Sequence, residues 1–373
     1  MHFLRDFPLA AFNTFGVSAM ARQFATVSSE PALMDWCARS GKATPPFLLG
    51  GGSNLLLTRN IESPVLQIAP RGARIVFDEG STALVEAMAG EPWHAFVLWT
   101  LAQGLSGLEN LSLIPGFVGA APVQNVGAYG VETADTLDSV TAIDTRTGEP
   151  REFRNSECIF GYRDSVFKQM RADLQEGESD RYAIMRVRFR LSRNFTPHVD
   201  YGDVTAELRR AGVSSPTAVD VSRAVIAIRS RKLPDPAVAG NAGSFFKNPV
   251  LGAQTASELK AKFPDVPQYP AKDGVKIPAG WLIEQAGWKG RRLSPGSGAC
   301  VHDKHALVIV NRGGATGAEI WALARAVQAD VQEKFGVTLE PEPRVVGCHS
   351  YRRPLTKSPT LTTAPRPGVT SRD

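Results

Sequence analysis

The segment LGGGSNLLL, Leu49 to Leu57, is the stretch that best indicates the fold. Three consecutive glycines separate two apolar runs that have the composition of buried strands. Because glycine has no Cβ atom, the backbone N–H groups of residues 50–54 can converge on a phosphate. The segment is neither a Walker loop nor a GxGxxG motif, since it has no GK[ST] sequence and no strand–loop–helix frame. A tight turn between strands is therefore an alternative to a phosphate-binding loop.

Two further segments have a composition that a surface loop does not explain. IPGFVGAAPVQNVGAYG, residues 114–130, carries no charged side chain, and its glycines favour a surface that faces a pyrophosphate and an aromatic ring system. GNAGSFFKNP, residues 240–249, places Phe245 and Phe246 next to each other, and their rings require burial. Part of this last segment is therefore predicted to lie inside the protein.

The composition is that of a globular protein. The chain has 373 residues, of which 43% are hydrophobic, which is enough for two or three domains. The net charge is +5, but residues 349–373 hold five basic residues and one acid and so contribute +4 of it, which leaves +1 for the rest. This distribution argues against a nucleic-acid partner. The segment 349–373 is rich in Pro, Ser and Thr and is predicted to be a disordered tail.

The cysteines and the N-terminus narrow the cellular setting. The four cysteines have no CxxC spacing, which argues against a structural zinc site and against a disulfide framework; they are Cys37, Cys158, Cys300 and Cys348. The N-terminal sequence lacks a charged region followed by an apolar core, and no window reaches the roughly 18 apolar residues that span a bilayer. We therefore expect a cytoplasmic protein without a metal site or a membrane partner.

The periodicity of the chain predicts the α+β class with mixed sheets. Helical spacing predicts helices over residues 31–41, 91–104 and 317–336, each ending at a glycine. Strands are predicted over residues 81–90 and 184–191. The second of these strands alternates apolar residues with Arg186, Arg188 and Arg190, as expected of an antiparallel strand with one solvated face.

Five motifs, in order, resemble the UDP-N-acetylenolpyruvoylglucosamine reductase family. They are LGGGSNLLL, GLENLSLIPGFVGAAPVQNVGAYG, FGYRDSVFK, GNAGSFFKNP and LEPEPRVVG, and YGDV at Tyr201 is similar to the substrate-covering tyrosine loop of one subgroup. The resemblance extends from Asn13 to Gly347. It implies an FAD-binding module of the PCMH type, shared with vanillyl-alcohol oxidases, with two subdomains over residues 13–195. It also implies a C-terminal α+β substrate-binding domain over residues 201–348.

The resemblance further implies a reaction and its ligands. NADPH would reduce non-covalently bound FAD, and the flavin would pass a hydride to the enolpyruvyl ether of a UDP-sugar, which gives UDP-N-acetylmuramate for peptidoglycan. The residues expected to contact FAD are Gly50, Gly51, Gly52, Ser53, Asn54, Pro115, Gly116, Gly119, Gln124, Asn125, Gly127 and Tyr129. The residues expected to contact the nucleotide sugar are Tyr201, Lys232, Asn248 and Arg344.

Three residues are expected to carry the chemistry. A guanidinium binds a planar carboxylate through two parallel hydrogen bonds, so Arg163 is assigned to the substrate carboxylate and to the enolate that forms on it. Glu342 would orient this group or assist proton transfer. Ser244 would protonate the enolate carbon, and Gly240 and Gly243 would let its backbone approach the flavin and the substrate.

Some positions depart from the family, and other functions stay open. Ala120 and Ala121 stand where some relatives have hydroxyl groups, so flavin contacts there must come from the backbone. His305 stands where some relatives have glutamine, and its role is undecided between packing and ligand binding. One alternative is another flavin oxidase of this module type with covalent FAD, for which His94 is the nearby histidine. The other alternative is a non-enzymatic nucleotide-binding protein. A monomer is expected.

Overall fold

The computed structural model describes residues 1–40, 46–172 and 180–347, so the predicted tail and Cys348 lie outside the described residues. The strands are β1 Leu4–Pro8, β2 Met20–Val27, β3 Phe47–Leu49, β4 Leu55–Leu57, β5 Val65–Ile68, β6 Ala73–Asp78, β7 Thr82–Met88, β8 Gly127–Ala128, β9 Val131–Glu132, β10 Leu137–Asp144, β11 Pro150–Arg154, β12 Tyr182–Ser192, β13 Val250–Leu251, β14 Tyr269–Ala271, β15 Gly274–Lys276, β16 Ala299–Val301, β17 Ile309–Asn311 and β18 Arg344–Val346. The helices are α1 Glu30–Ser40, α2 Trp93–Ala102, α3 Val166–Ala172, α4 Val204–Arg210, α5 Ala218–Lys232, α6 Ala253–Lys262, α7 Ala279–Gln285 and α8 Gly317–Phe335. Within these ranges, no helix is both long and apolar enough to cross a membrane.

Two larger sheets and several small ones organise the described chain. The first has the strand order β1-β2-β5-β3, with β5 parallel to both of its neighbours. The second has the order β11-β10-β12-β7-β6 and is antiparallel throughout. A small sheet has the order β13-β15-β14, and three pairs are β16-β17, β8-β9 and the parallel pair β18-β4. The predicted mixture of parallel and antiparallel sheets is confirmed.

Strand β12 confirms the alternation read from the sequence. Phe189 is fully buried, whereas the arginines lie on the outer face of the sheet. There Arg188 pairs with Glu86 at 2.9 Å and Arg186 pairs with Glu30 at 2.8 Å. These pairs explain why three arginines in one strand are compatible with folding, since each finds an acidic side chain nearby. They give no sign of a nucleic-acid surface.

The largest hydrophobic core takes side chains from both ends of the chain. It joins residues 9–65 to residues 245–346, and Phe15 packs edge to face against Phe245 with ring centroids 6.2 Å apart. Phe245 and Phe246 are 0% and 1% exposed, as the sequence predicts. A second core lies within residues 25–191, and a small third core joins α4 to α5. Packing therefore crosses the predicted boundary near residue 200, and the ranges 13–195 and 201–348 stay predictions.

Helix α8 is fixed at both ends and docks on strand β4. Thr316 and Glu319 form a capping box at its start, and Gly336 ends it with φ 69°, in the left-handed region that favours glycine. The first helical residue, Gly317, touches the strand so closely that a Cβ atom would lie 1.8 Å from the carbonyl oxygen of Leu57. The helix therefore approaches β4 only because this residue has no side chain.

Gly317→Ala should destabilise the protein by roughly 1–3 kcal/mol or more, the cost that is typical of overpacking. The reason is that the backbone must move to admit the methyl group. Gly280→Ala in α7 is the matched control, since its Cβ atom would lie an ordinary 3.7 Å from the side chain of Leu307. Urea unfolding of both variants gives the two free energies of unfolding. Equal stability of the two variants would contradict the proposed docking.

Candidate active site

The two glycine-rich loops lie in direct contact. The first connects β3 to β4, and a Cβ atom at Gly51 would lie 2.9 Å from the Cα atom of Gly116 in the second. The hydroxyl of Ser53 donates to the carbonyl of Pro115 at 3.1 Å. A Cβ atom at Gly116 would in turn lie 2.5 Å from that hydroxyl oxygen. Glycine is thus required where the loops meet, and predicted flavin contacts that are 62 residues apart in sequence are brought together.

The first loop has the unpaired donors that an anion requires. Among the residues that the structure describes, no protein acceptor takes the backbone N–H groups of residues 50–54. Backbone N–H groups are nearly always paired in folded proteins, and a series of free ones forms a concave anion-binding surface. The phosphate-binding interpretation is therefore favoured over a plain turn. This surface fits the diphosphate of a dinucleotide.

A pocket opens beside these loops. Gly50, Gly119 and Ala120 line one side of it, and Asp180 and Arg181 line another. The second loop is held against the end of strand β7 so tightly that a Cβ atom at Gly119 would lie 2.5 Å from that of Ala89. Gly119 is therefore required for this close packing, and the expectation that Ala120 contacts the flavin through its backbone stays a prediction.

Asn125 differs from the other predicted flavin contacts. It is 1% exposed and has φ 45°, and its side chain is fully engaged inside the protein. Its amide nitrogen donates to Glu132 at 2.6 Å and to the carbonyl of Gly161 at 3.2 Å, while its oxygen accepts from the backbone of Ala134. The side chain of Asn125 therefore supports the loop, and any contact with the cofactor would have to come from its backbone.

Glu342 is carried into the site by backbone pairing on both sides of its segment. On one side, the N–H group of Arg344 donates to the carbonyl of Asn54 at 3.0 Å. On the other side, the N–H group of Glu342 donates to the carbonyl of Phe245 at 2.9 Å. The amide of Asn54 also donates to Gln124 at 2.6 Å. Glu342 therefore lies between the first glycine loop and the residue that follows Ser244.

Arg163 and Glu342 form a largely buried ion pair. Arg163 Nε lies 2.9 Å from Glu342 Oε1, and the two side chains are 19% and 12% exposed. A second guanidinium nitrogen of Arg163 donates to the carbonyl of Gly127 at 2.8 Å. Burial raises the pKa of Glu342, against the opposing charges of Arg163, Lys168 and Lys247. The guanidinium keeps further N–H donors, as a carboxylate-binding role requires.

Ser244 directly precedes Phe245, whose carbonyl accepts from the N–H group of Glu342. Ser244 is half-buried and bridges to Val308 as in an antiparallel pair of strands. Within the described part of the chain, the hydroxyl of Ser244 has no hydrogen-bond partner, so its proton is available to a ligand. The two glycines have different roles. A Cβ atom at Gly240 would lie 2.3 Å from the carbonyl oxygen of Phe15, whereas Gly243 has φ 71° and open space around it.

The predicted substrate contacts occupy different surroundings. Tyr201 is 59% exposed, and its Cβ atom would lie 3.3 Å from a Cβ atom placed on Gly130. Lys232 forms an exposed ion pair with Asp203. The side-chain oxygen of Asn248 is occupied, since it accepts from a backbone N–H group at 2.9 Å.

Arg344 pairs with Asp180 beside the glycine loops. Its guanidinium lies 2.8 Å from the carboxylate of Asp180 and 4.2 Å from the centre of the Phe47 ring. Asp180 lines the pocket beside the glycine loops. In strand β18 the side chain of Arg344 points towards Phe47, and the substrate contact expected from the sequence stays a prediction.

One residue of the site was missed by sequence reasoning. Arg229 is largely buried in helix α5, where it donates to the carbonyl of Leu113 at 3.2 Å and forms no ion pair with any residue that the structure describes. Burial lowers the pKa of Arg229, and the charge of Arg163 lowers it further, against an opposing contribution from Tyr129. Arg229 and Lys232 are three positions apart and so lie on one face of the helix. This spacing is the sequence signal that could have indicated Arg229.

The histidines of the open alternatives have defined positions. His94 accepts a hydrogen bond at Nδ1 from the backbone of Leu113 at 3.0 Å, and burial lowers the pKa of His94, followed by the charge of Arg229. His305 has a buried Nδ1 without a partner among the described residues, and burial is also the main cause that lowers the pKa of His305. Neither position gives evidence for a covalent cofactor.

The comparisons with known proteins define the class of the chain as a flavoprotein oxidoreductase. The model of the FAD binding domain family matches residues 23–154, and that of the UDP-N-acetylenolpyruvoylglucosamine reductase C-terminal domain matches residues 235–346. The chain belongs to the UDP-N-acetylenolpyruvoylglucosamine reductase family, and it is an enzyme with FAD as its cofactor. The predicted fold class and family are therefore confirmed.

Individual relatives cover nearly the whole chain. It is 54% identical over 339 residues to UDP-N-acetylenolpyruvoylglucosamine reductase of Pseudomonas aeruginosa, which covers 90% of this chain and 97% of that one. It is 51% identical over 344 residues to the reductase of Azoarcus sp., with 91% and 96% covered. The crystal structure of UDP-N-acetylenolpyruvylglucosamine reductase from Thermus caldophilus matches with a TM-score of 0.62 at 26% identity, covering 93% of this chain and 99% of that one.

Gly52→Ala should destabilise the flavin-free protein by about 2 kcal/mol or more. Gly52 has φ 65°, and a Cβ atom there would lie 2.0 Å from the carbonyl oxygen of Phe12, so the cost falls within the protein and not only in the phosphate cradle. Gly50→Ala is the control, because its Cβ atom would meet only Ala120 at 3.7 Å. It should leave the stability of the flavin-free protein near the parent value while weakening FAD binding. Thermal unfolding and FAD titration of both variants measure these effects, and equal stability would contradict this account.

Proposed function

We propose that the enzyme reduces UDP-N-acetylglucosamine enolpyruvate to UDP-N-acetylmuramate with NADPH, as a step in making the peptidoglycan precursor. The observation that carries the proposal is the buried pair of Arg163 with Glu342, whose backbone is bonded to Phe245, the residue that follows Ser244. The relatives named above support the same reaction. Bound FAD would supply the hydride transfer from NADPH to the substrate. The cytoplasmic location and the monomeric state stay predictions.

The cradle and the pocket have the groups that FAD requires. Free backbone N–H groups of residues 50–54 would hold the diphosphate, since several convergent donors stabilise its negative charge. The small residues Gly50, Gly119 and Ala120 line one side of the pocket, so a flat ring could approach the chain there closely. Arg344, held by Asp180 at this pocket, would add positive charge on the cofactor side. We therefore assign Arg344 to the cofactor side, while the substrate contact expected from the sequence stays a prediction.

Arg163 would bind the substrate carboxylate and stabilise the enolate. When hydride reaches the terminal carbon of the enolpyruvyl ether, negative charge moves onto the carboxylate, where a preorganised cation is most effective. Glu342 fixes the guanidinium through Nε, and the carbonyl of Gly127 fixes it through a terminal nitrogen. The remaining donors are therefore directed before substrate binds. Glu342 thus acts as an orienting group for Arg163.

Ser244 would donate the proton that completes the reduction. Its hydroxyl has no partner among the described residues, and its segment is bonded to that of Glu342 through Phe245. A serine hydroxyl is a weak acid, so the transfer depends on an enolate carbon of high basicity held close to it.

Cations of helix α5 would bind the diphosphate of the nucleotide sugar. Lys232 is a mobile point charge whose exposed pairing with Asp203 contributes little and can be exchanged for a phosphate. Arg229 lies one turn earlier and has no acidic partner within the described residues. Tyr201 and Asn248 would complete the contacts, Tyr201 from the exposed loop that packs on Gly130.

Ser244→Ala should separate the two half-reactions. Reduction of FAD by NADPH should stay within about twofold of the parent rate, because the hydroxyl acts after this step. Reoxidation of the reduced flavin by UDP-N-acetylglucosamine enolpyruvate should slow by about 10²- to 10⁴-fold, the usual contribution of a general acid. Stopped-flow absorbance at the flavin band measures both rates.

Ser244→Cys is the matched control, since a thiol can still donate a proton, and it should recover part of the lost rate. Equal slowing of both half-reactions would assign Ser244 to the flavin site instead, and normal rates in both would assign the proton to another donor. A parent enzyme that oxidises NADPH without any dependence on the enolpyruvyl substrate would overturn the proposed function itself.

Non-covalent FAD is a further expectation. Denaturing the purified yellow protein should release all of the flavin into the supernatant after centrifugation, because the imidazole of His94 is already engaged, its Nδ1 accepting from the backbone of Leu113 at 3.0 Å. Yellow colour that stays with the pellet would favour the covalent alternative that depends on His94.

A further inference from the structure

Lys168 is bonded to the backbone of Arg163. It lies in helix α3, and its Nζ atom donates to the carbonyl oxygen of Arg163 at 3.0 Å. Arg163 has φ 55°, in the left-handed region where a residue with a side chain is strained and needs external support. The hydrogen bond of Lys168 provides that support at the carbonyl of the same residue. Lys168 thus holds the turn from which the Arg163 side chain projects.

Lys168 also belongs to a cluster of charges behind the ion pair. Lys247, which is 7% exposed, pairs with Glu340 at 2.7 Å. Lys168 itself forms no ion pair with the residues that the structure describes, so its charge is shared among nearby carboxylates. The charged groups that face it are Arg163, Asp164, Lys247, Glu340 and Glu342.

The protonation of Lys168 is set by this environment. Burial, followed by the charge of Lys247, lowers the pKa of Lys168 to about 8, although Glu340, Glu342 and Asp164 oppose the shift. Its ammonium is therefore charged below about pH 8 and loses its proton as the pH rises through that value. Lys168 is in turn one of the cations that oppose the rise in the pKa of Glu342.

We infer that Lys168 is a positioning residue for the reduction of the enolpyruvyl substrate: its ammonium holds the turn of Arg163 in place through the carbonyl oxygen, so that the guanidinium faces the substrate carboxylate. This inference rests on the proposed function. Without the ammonium, the Arg163 turn loses its support, and the Glu342 carboxyl loses one of the three cations that favour its charge. The Arg163–Glu342 ion pair then weakens, because the positions of both partners are less well supported.

The test compares three variants in the flavin-loaded enzyme. Lys168→Met removes the charge and the donor while keeping a similar length. Lys168→Arg keeps both. Lys260→Met is the control, because the ammonium of Lys260 also donates to a backbone carbonyl, that of Val266 at 2.8 Å, but in helix α6 outside the site.

Lys168→Met should slow reoxidation of the flavin by UDP-N-acetylglucosamine enolpyruvate by about ten- to a hundredfold, the cost of a displaced catalytic group. Reduction of FAD by NADPH should be unchanged. Lys168→Arg should restore most of the rate, and Lys260→Met should match the parent. Parent-like reoxidation in Lys168→Met would overturn the inference.

The pH profile adds a readout that a merely structural role would not change. In the parent enzyme, the reoxidation rate should fall as the pH rises through about 8, as Lys168 loses its charge. In Lys168→Arg this fall in rate at alkaline pH should move to above about pH 9, because a guanidinium stays protonated. A fall in rate at the same pH in both enzymes would overturn the inference. If the substrate does not reoxidise the reduced flavin of the parent enzyme at any pH, the proposed function itself fails. That result is distinguishable from failure of the inference alone, in which the parent enzyme and Lys168→Met are reoxidised at the same rate.

Discussion

One extended segment, residues 340–346, holds the active site together through backbone hydrogen bonds on both of its edges. Towards the C-terminal half, it pairs with residues 245–247 through the carbonyl of Glu340 and the N–H group of Glu342. Towards the N-terminal half, it forms strand β18 and pairs in parallel with β4, directly after the glycine loop. Glu342 is the residue at which the pairing changes from one neighbour to the other. The relative positions of the cofactor cradle, Ser244 and Arg163 all depend on this segment.

Charge follows the same organisation. The ion pair of Arg163 with Glu342, the bond of Lys168 to Arg163 and the pair of Lys247 with Glu340 are all anchored on or beside residues 340–346. Arg229 approaches from helix α5 with no acidic partner in the described chain. A buried cation without a counter-ion is costly, so this arrangement is best satisfied by an anionic ligand. A substrate with one carboxylate and one diphosphate meets that requirement.

Local patterns predicted the elements well and the long-range contacts poorly. The alternation of β12 and the capped helix α8 follow from short stretches of sequence, because burial of one face and capping are local properties. The burial of Phe245 and Phe246 was likewise evident from their side chains. The position of Arg344 beside Asp180, and the bond of Lys168 to the Arg163 carbonyl, depend on how distant segments pack, which no spacing reveals. The glycine content of residues 50–52 indicated the phosphate cradle. The requirement for glycine at position 52, however, comes from the neighbouring backbone of Phe12, which the sequence does not reveal.

The pairing of β18 with β4 also has a consequence for the order in which the enzyme folds. The side chain of Asn54 and the carbonyl of Glu342 that it contacts are separated by 288 positions, so closing this contact orders most of the chain at once. Such non-local pairing is typical of slow folding. The strand that follows the glycine loop therefore finds its partner only after residues 340–346 have been made and have folded back onto it. Completion of the cofactor site is accordingly expected late in folding, whatever the order in which the smaller elements form.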